Sequence, residues 1–296
     1  MPHIGEFAAL FTAMCWMISS LFFEVASKRV GSMVVNVLRL CLAFVFLSLY
    51  SLIVRRMPFP IDATSHAWFW LSLSGLAGFV IGDTCLFKAY AVIGARVSML
   101  VMATAPLLTA LIGWVVMGET LTPLAALGMA LTVGGIVLVV FERNPAENHV
   151  KLSYSPRGLL FALGGATGQA VGLVLSKYGM GSYDAVAATQ VRQVAGIAGM
   201  LVVSVLLKTL GRVGPAIQDR RTMQPLLIAS VFGPSLGVSL SLFAVQHTSA
   251  AIASTLMAIV PILIIPPAIF LFKEKVTFKE ALGALVAVAG VVVLFV

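Results

Sequence analysis

The amino-acid sequence predicts an all-α integral membrane protein: ten transmembrane helices arranged as two inverted five-helix repeats. Three observations lead there. Of the 296 residues 60% are hydrophobic and only 10% charged, with a mean hydropathy of +1.06. Soluble domains carry about 25% charged residues, so this chain could not cover a water-facing surface. Cutting at charges, Pro and Gly leaves ten apolar runs, each near the roughly 20 residues that cross a bilayer core. An offset of 155 positions then lays the rarer residues of the first half on those of the second.

Residues 4–23 form the first run, with no basic stretch or small-residue cleavage motif ahead of it. A retained span is expected there rather than a cleaved signal. Spans follow at 33–54 and 66–91, the latter carrying GDTCLFKAY at 82–90. Spans at 95–117 and 121–141 complete the first half. The polar stretch Glu142–Ser155, ERNPAENHVKLSYS, reads as a linker dividing the chain into 1–147 and 148–296. The second half repeats the series at 156–178, 185–209, 222–247, 250–272 and 277–296. None of these runs alternates with a period of two, which argues against strands.

The offset superposes Gly82 on Gly237, Pro106 on Pro261, Glu119 on Glu274, Thr122 on Thr277, Gly128 on Gly283 and Gly135 on Gly290. Because each half holds an odd number of spans, the second half enters the bilayer from the opposite side. Inverted repeats of this kind are typical of secondary transporters, whose sites lie near the midplane. Small residues at four-residue spacing (Ser74, Gly78 and Gly82; Gly164, Gly168 and Gly172; Gly233, Gly237 and Ser241) suit close helix packing in lipid. Pro106, Pro234, Pro261, Pro266 and Pro267 lie inside apolar runs, where each removes a helical hydrogen bond and opens a kink. The pairing of Pro106 with Pro261 suggests matched kinks beside a central pathway.

The net charge of +8 and pI near 9.7 come from residues in short inter-helix loops, as topological anchors at an anionic membrane surface. Nucleic acid is not an expected partner. Cys15, Cys41 and Cys85 lie in apolar runs without metal or disulfide spacing. Walker, nucleophile-elbow and zinc-protease motifs are all missing from the sequence. The reading is therefore not an enzyme, with no cofactor and no ATP-driven pump.

Ionisable groups inside spans are costly and face a cavity or a partner. Arg39, Lys88 and Arg192 are the embedded cations, with Arg39 and Arg192 at equivalent places in the two halves. They either hold an anionic group such as a carboxylate or snorkel to the headgroups. Asp83 reads as the one carboxylate clearly inside a span, available for proton coupling or for an ion pair with a neighbouring helix. Lys88 is five residues on, about 140° round the helix, so a partner such as Arg39 suits Asp83 better. Glu119 and Glu274 read as caps for the helices that follow them. Uncharged candidates for a cavity lining are Trp16, Ser19, Ser20, Tyr90, Gln169, Tyr178, Gln190, Gln193, Ser235 and Ser239.

GDTCLFKAY, Ala105-Pro106, GETLT at 118–122, Gly128 and Gly135, echoed by Pro261, Glu274, Thr277, Gly283 and Gly290, resemble the EamA-type transporters of the drug/metabolite transporter superfamily. The resemblance spans essentially the whole chain. It implies two EamA-type repeats, 1–147 and 148–296, working by alternating access in a bacterial cytoplasmic membrane. It further implies a secondary transporter, an exporter of small organic metabolites such as amino acids. Asp83 makes a proton the candidate coupling ion, and a monomer or homodimer is the expected unit. Small multidrug relatives carry a carboxylate in the first span, where this chain reads CWMISS. The alternatives are an antiporter of anionic metabolites, of sugar phosphate or nucleotide-sugar type, gripping phosphate with Arg39, Lys88 and Arg192, and a non-transporting membrane protein. About 13 of the 19 basic residues lie in odd-numbered loops, which places both termini outside. The resemblance implies termini inside.

Overall fold

The structure, a computed structural model, describes residues 3–117, 122–144, 149–248, 253, 256–270, 273 and 276–294. It is helical apart from one hairpin. In chain order the elements are α1 (Ile4–Val30), α2 (Ser32–Val54), α3 (Ser65–Gly75), a wide π-helical turn π1 (Leu76–Gly82), α4 (Asp83–Met102), α5 (Ala105–Met117) and α6 (Pro123–Val140). Strands β1 (Phe141–Asn144) and β2 (His149–Leu152) pair antiparallel, Phe141 opposite Leu152. The second half continues with α7 (Pro156–Met180), α8 (Ala185–Leu206), the short surface helix α9 (Val213–Gln218) and α10 (Arg220–Ser230). It ends with a second wide turn π2 (Val231–Gly237), α11 (Val238–His247), α12 (Val260–Leu263), α13 (Ile265–Phe270) and α14 (Phe278–Leu294).

Lipid offers no hydrogen bonds, so each apolar run satisfies its backbone internally as helix. Among the described residues, six helices are long and apolar enough to cross a membrane, against the ten runs read from the sequence. The difference arises where spans are interrupted. Helical backbone breaks at Ala103–Thr104 and again at Ala258–Ile259, the same offset apart and just ahead of Pro106 and Pro261. Proline at either site cannot donate to the carbonyl four residues back. Within α4, Gly94 has φ 78° and ψ 164°, which separates the third span from the fourth. The first span is longer than predicted, running on to Val30, and it takes in Glu24. The stretch read as a polar linker contributes the paired strands β1 and β2.

The halves pack through matched elements. Helix α1 lies against α10, π2 and α11, and α7 lies against α3, π1 and α4. Exchanging the halves turns one of these contacts into the other. Two further pairs, α2 with α8 and α6 with α14, map onto themselves. Glycine makes the approach possible at the crossings. A side chain on Gly168 would meet the Gly82 backbone, and one on Gly237 would meet the Trp16 ring. Between α6 and α14, Gly135 lies against Gly283 and Ala287, while Thr132 Oγ1 donates to Ala287 O at 3.2 Å. Close contact through small residues supplies the attraction that lipid otherwise withholds. Phe7, Phe11, Ile53, Phe69, Leu160, Leu206 and Phe270 stay exposed on the outer surface, as lipid-facing positions should.

π1 and π2 stand 155 positions apart, like the sequence repeat itself. A π-helical turn carries one residue more than the α-helical ladder can pair, and such turns gather at functional sites. Both wide turns have their spare carbonyl taken by an amide. Asn36 Nδ2 on α2 donates to Phe79 O at 2.8 Å, and Gln193 Nε2 on α8 donates to Pro234 O at 2.9 Å. Pro234 also leaves Ser230 O without its helical donor, and Ser235 Oγ fills that place at 2.8 Å.

Candidate functional site

A cavity of about 120 Å³ lies where the two wide turns and the two proline kinks converge. Its wall takes Trp16, Ser19 and Phe23 from α1, Gln169 and Leu173 from α7, and Arg39 from α2. Phe79 of π1 and Asp83, Phe87, Tyr90, Met99 and Met102 of α4 form one side. Pro106 and Thr109 of α5, Pro234 of π2, Met257 and Pro261 close the rest. The lining is aromatic and thioether-rich around very few polar groups, the usual composition of a small-molecule site.

The polar feature is an ion pair between the Arg39 guanidinium and the Asp83 carboxylate. Arg39 is 3% exposed. Its Nε donates to Asn36 Oδ1 at 2.9 Å, while Asn36 also donates to Thr84 Oγ1 at 3.1 Å. Three rings surround the guanidinium, Phe87 at 4.9 Å, Phe79 at 5.4 Å and Phe23 at 5.8 Å from its carbon. A charge placed so deep is tolerable only when paired and hydrogen-bonded. One chain of bonds therefore joins Asp83, Arg39, Asn36 and the Phe79 carbonyl of π1, so the charge pair and the wide turn hold each other in place.

Of the polar, charged and aromatic residues singled out from the sequence, Trp16, Ser19, Arg39, Asp83, Tyr90 and Gln169 face this cavity. The others lie elsewhere. Lys88 sits over the Phe161 ring at 5.3 Å. Arg192 is buried behind Phe79, its guanidinium carbon 4.7 Å from that ring. Ser20 Oγ is used on Met17 O and Ser235 Oγ on Ser230 O. Gln193 supports π2, and Ser239 donates to Thr189 Oγ1 at 3.5 Å. Gln190 ties Ser48, Ser51 and the Pro58 carbonyl together at the far end of α2. Tyr178 is 62% exposed among His66 and Trp70, an interfacial aromatic cluster.

Glu24 corrects the reading of Asp83 as the one carboxylate inside a span. It is 8% exposed within α1, accepts from Ala95 N–H at 2.7 Å and pairs with Lys28. It thereby caps the helical segment that restarts after Gly94. Sequence reasoning missed it because the first run was ended at Phe23, one residue short. Asn36 was missed as well, though a lone amide three residues before Arg39 on an apolar helix was a signal. Glu119 and Glu274 lie outside the described residues. The cap seen at α14 is made by Thr277 and Glu280, each bonding the other's backbone N–H at 2.8 and 3.3 Å, a capping box. Glu280 also pairs with Arg96 at 3.0 Å and accepts from the Tyr154 hydroxyl.

At the opposite end, outside the spans, Arg55 pairs with Asp62 at 2.5 Å and lies 3.9 Å from Asp184. The Tyr183 hydroxyl donates to Asp62 at 2.8 Å. Burial, helped by the bond to Asp62, pushes the Tyr183 phenol up to about 12. This cluster ties the segment between α2 and α3 to the one between α7 and α8.

A family model described as the EamA-like transporter family matches residues 3–141 and again 156–296. A solved structure described only as a crystal structure of a protein resembles the chain with a TM-score of 0.63 at 17% identity, covering 98% of this chain and 95% of the other. That likeness speaks to the fold alone. No curated protein matches the chain. The family match takes in nearly the whole sequence, once per half, and so this multi-pass integral membrane protein belongs to the EamA-like transporter family.

Proposed function

We propose that the chain is a secondary transporter that exports small organic metabolites of the amino-acid type across a bacterial cytoplasmic membrane by alternating access. In this reading ten spans form two oppositely oriented five-helix repeats, 1–147 and 148–296. The exchange of contacts between halves, α1 with π2 and α7 with π1, supports that arrangement. The observation that carries the proposal is the Arg39–Asp83 pair in a cavity bounded by matched wide turns and matched proline breaks. Irregular backbone at membrane depth is tolerated where it lines a cavity, and transporter sites sit at repeat interfaces. Trp16, Tyr90, Phe87 and the methionines would take an apolar body, while Arg39, Asp83 and Gln169 would take a charged or amide head.

The broken elements supply hinges. Rocking one half against the other about them would open the cavity to each side in turn. A proton is the candidate coupling ion, with Asp83 as its carrier. A phosphate clamp of Arg39, Lys88 and Arg192 has less support, since Lys88 faces Phe161 and neither it nor Arg192 lines the cavity. Counterflow in proteoliposomes with labelled amino acids and other small metabolites tests the proposal. Accumulation of at least one class against preloaded unlabelled compound is expected. Folded protein that exchanges none of them would reject it.

A further inference from the structure

The buried charges of the site do not balance. Arg39 and Arg192 are both buried, at 3% and 4% exposure, and one carboxylate, Asp83, lies among them. Asp83 pairs with Arg39. The Arg192 Nε has no hydrogen-bond partner, and no carboxylate pairs with Arg192 among the described residues. The other charged groups of these spans are engaged elsewhere, Glu24 with Lys28 and the Ala95 N–H, Lys88 with Phe161. An uncompensated cation inside a membrane protein is expensive to keep.

The two guanidiniums share one ring. Arg39 lies 5.4 Å and Arg192 4.7 Å from the centre of Phe79. The Arg192 head group lies against Gly78, where a Cβ would come within 3.2 Å of Nη2. Asp83 N–H closes the wide turn on Gly78 O, so Asp83 and the surface that Arg192 occupies are one turn apart. Arg192 is close enough for its charge to bear on Asp83. Arg39 and Asp83 face the cavity; Arg192 does not.

Resting on the transport reading above, we infer that Arg192 is a reserve partner for Asp83 and that the site takes a ligand presenting a single carboxylate. The ligand carboxylate binds Arg39. Asp83, displaced, rotates past Gly78 to Arg192. Two cations then face two anions, whereas the empty site holds two cations and one anion. Arg192 is thus a positioning residue that acts through Asp83 without touching the ligand. A ligand with an amide in place of the carboxylate cannot drive the exchange.

The test uses the purified full-length protein in detergent and three matched probe pairs: hexanoate, 4-methylpentanoate and 3-phenylpropionate, each against its own amide. Affinity is read from ligand-dependent shifts in thermal unfolding. Wild type is expected to prefer carboxylate to amide by about tenfold or more. Arg192→Gln is expected to weaken carboxylate binding by about tenfold while leaving the amides unchanged. Asp83→Asn/Arg192→Gln is expected to recover most of that loss, because no displaced carboxylate is left stranded. Asp83→Asn alone is expected to bind the carboxylates at least as tightly as wild type, and this arm stands even if Arg192→Gln does not fold. No preference for carboxylate in wild type, including no binding of either series, overturns the inference. So does failure of the double variant to recover, or loss of carboxylate binding in Asp83→Asn. Carboxylate binding without counterflow would reject transport and leave this pairing intact; counterflow without carboxylate preference would do the reverse.

Discussion

Phe79 and Pro234 present their carbonyl oxygens to side-chain amides on a neighbouring helix, Asn36 of α2 at 2.8 Å and Gln193 of α8 at 2.9 Å. The two carbonyls are equivalent under the internal repeat. The donors come from α2 and α8, which occupy equivalent places in the halves, although neither amide is an exact copy of the other in sequence position. The same problem, a spare carbonyl in an apolar interior, has thus been solved twice with different residues.

Asn36→Leu removes the donor to Phe79 O and the acceptor for Arg39 Nε together. A buried polar group left unmade costs about 1–3 kcal/mol, so a loss at the upper part of that range is expected. Gln193→Leu strands one carbonyl and should cost less. Thermal unfolding of the two variants in one detergent decides the order; equal losses would contradict it.

Neighbouring glycines on α6 offer a matched comparison. A side chain on Gly135 would strike Ala287 and Gly283 of α14, whereas Gly134 has nothing within 4 Å. Gly135→Leu should destabilise by about 1–3 kcal/mol or more through overpacking, and Gly134→Leu should be close to neutral. The melting temperatures of the pair check this directly.

Glu24 holds the Ala95 N–H where helix resumes after Gly94. Glu24→Ala should cost about 0.5–2 kcal/mol, the usual loss of a helix cap. Glu24→Gln keeps an acceptor oxygen and should cost less. Hydrogen exchange at Ala95 should speed up in the first variant and stay nearly as slow in the second.

Tyr183 gives a pH prediction with a definite sign. Its folded value, about 12, lies above the ordinary phenol value of 10. Its contribution to stability is therefore complete below about pH 10 and is lost as pH rises through about 12. In an ultraviolet titration of phenolate, the component that disappears in Tyr183→Phe should titrate late, and it should move toward the ordinary range in Asp62→Asn.

The repeat, the membrane class and the cavity-facing Arg39 and Asp83 were legible because a duplicated rare residue and a charge in an apolar run both stand out in a sequence. Helix rotation was not. Lys88 was grouped with Arg39 as a cation for the cavity, yet it faces the Phe161 ring. Arg39 and Arg192 correspond in the halves, yet only the first reaches the cavity wall. Such differences depend on which face each helix turns toward its neighbours, and near-uniform hydrophobicity leaves no stripe from which to read it. Glu24 was hidden by an end drawn at a charge, although its partners Lys28 and Ala95 make that charge part of the helix interior. The methionines at 99, 102 and 257 carried no signal at all among so many apolar side chains.

The bend in π2 is written into covalent structure, because a pyrrolidine ring at Pro234 forbids the missing hydrogen bond. Its counterpart π1 follows Gly75, contains Gly78 and Gly82 and has no proline, so its shape rests on the Asn36 hydrogen bond and on packing against α7 and α8. The twin joints are alike in shape and unlike in what holds them. A covalent ring fixes one bend whatever surrounds it, whereas the other can be undone by replacing a single amide.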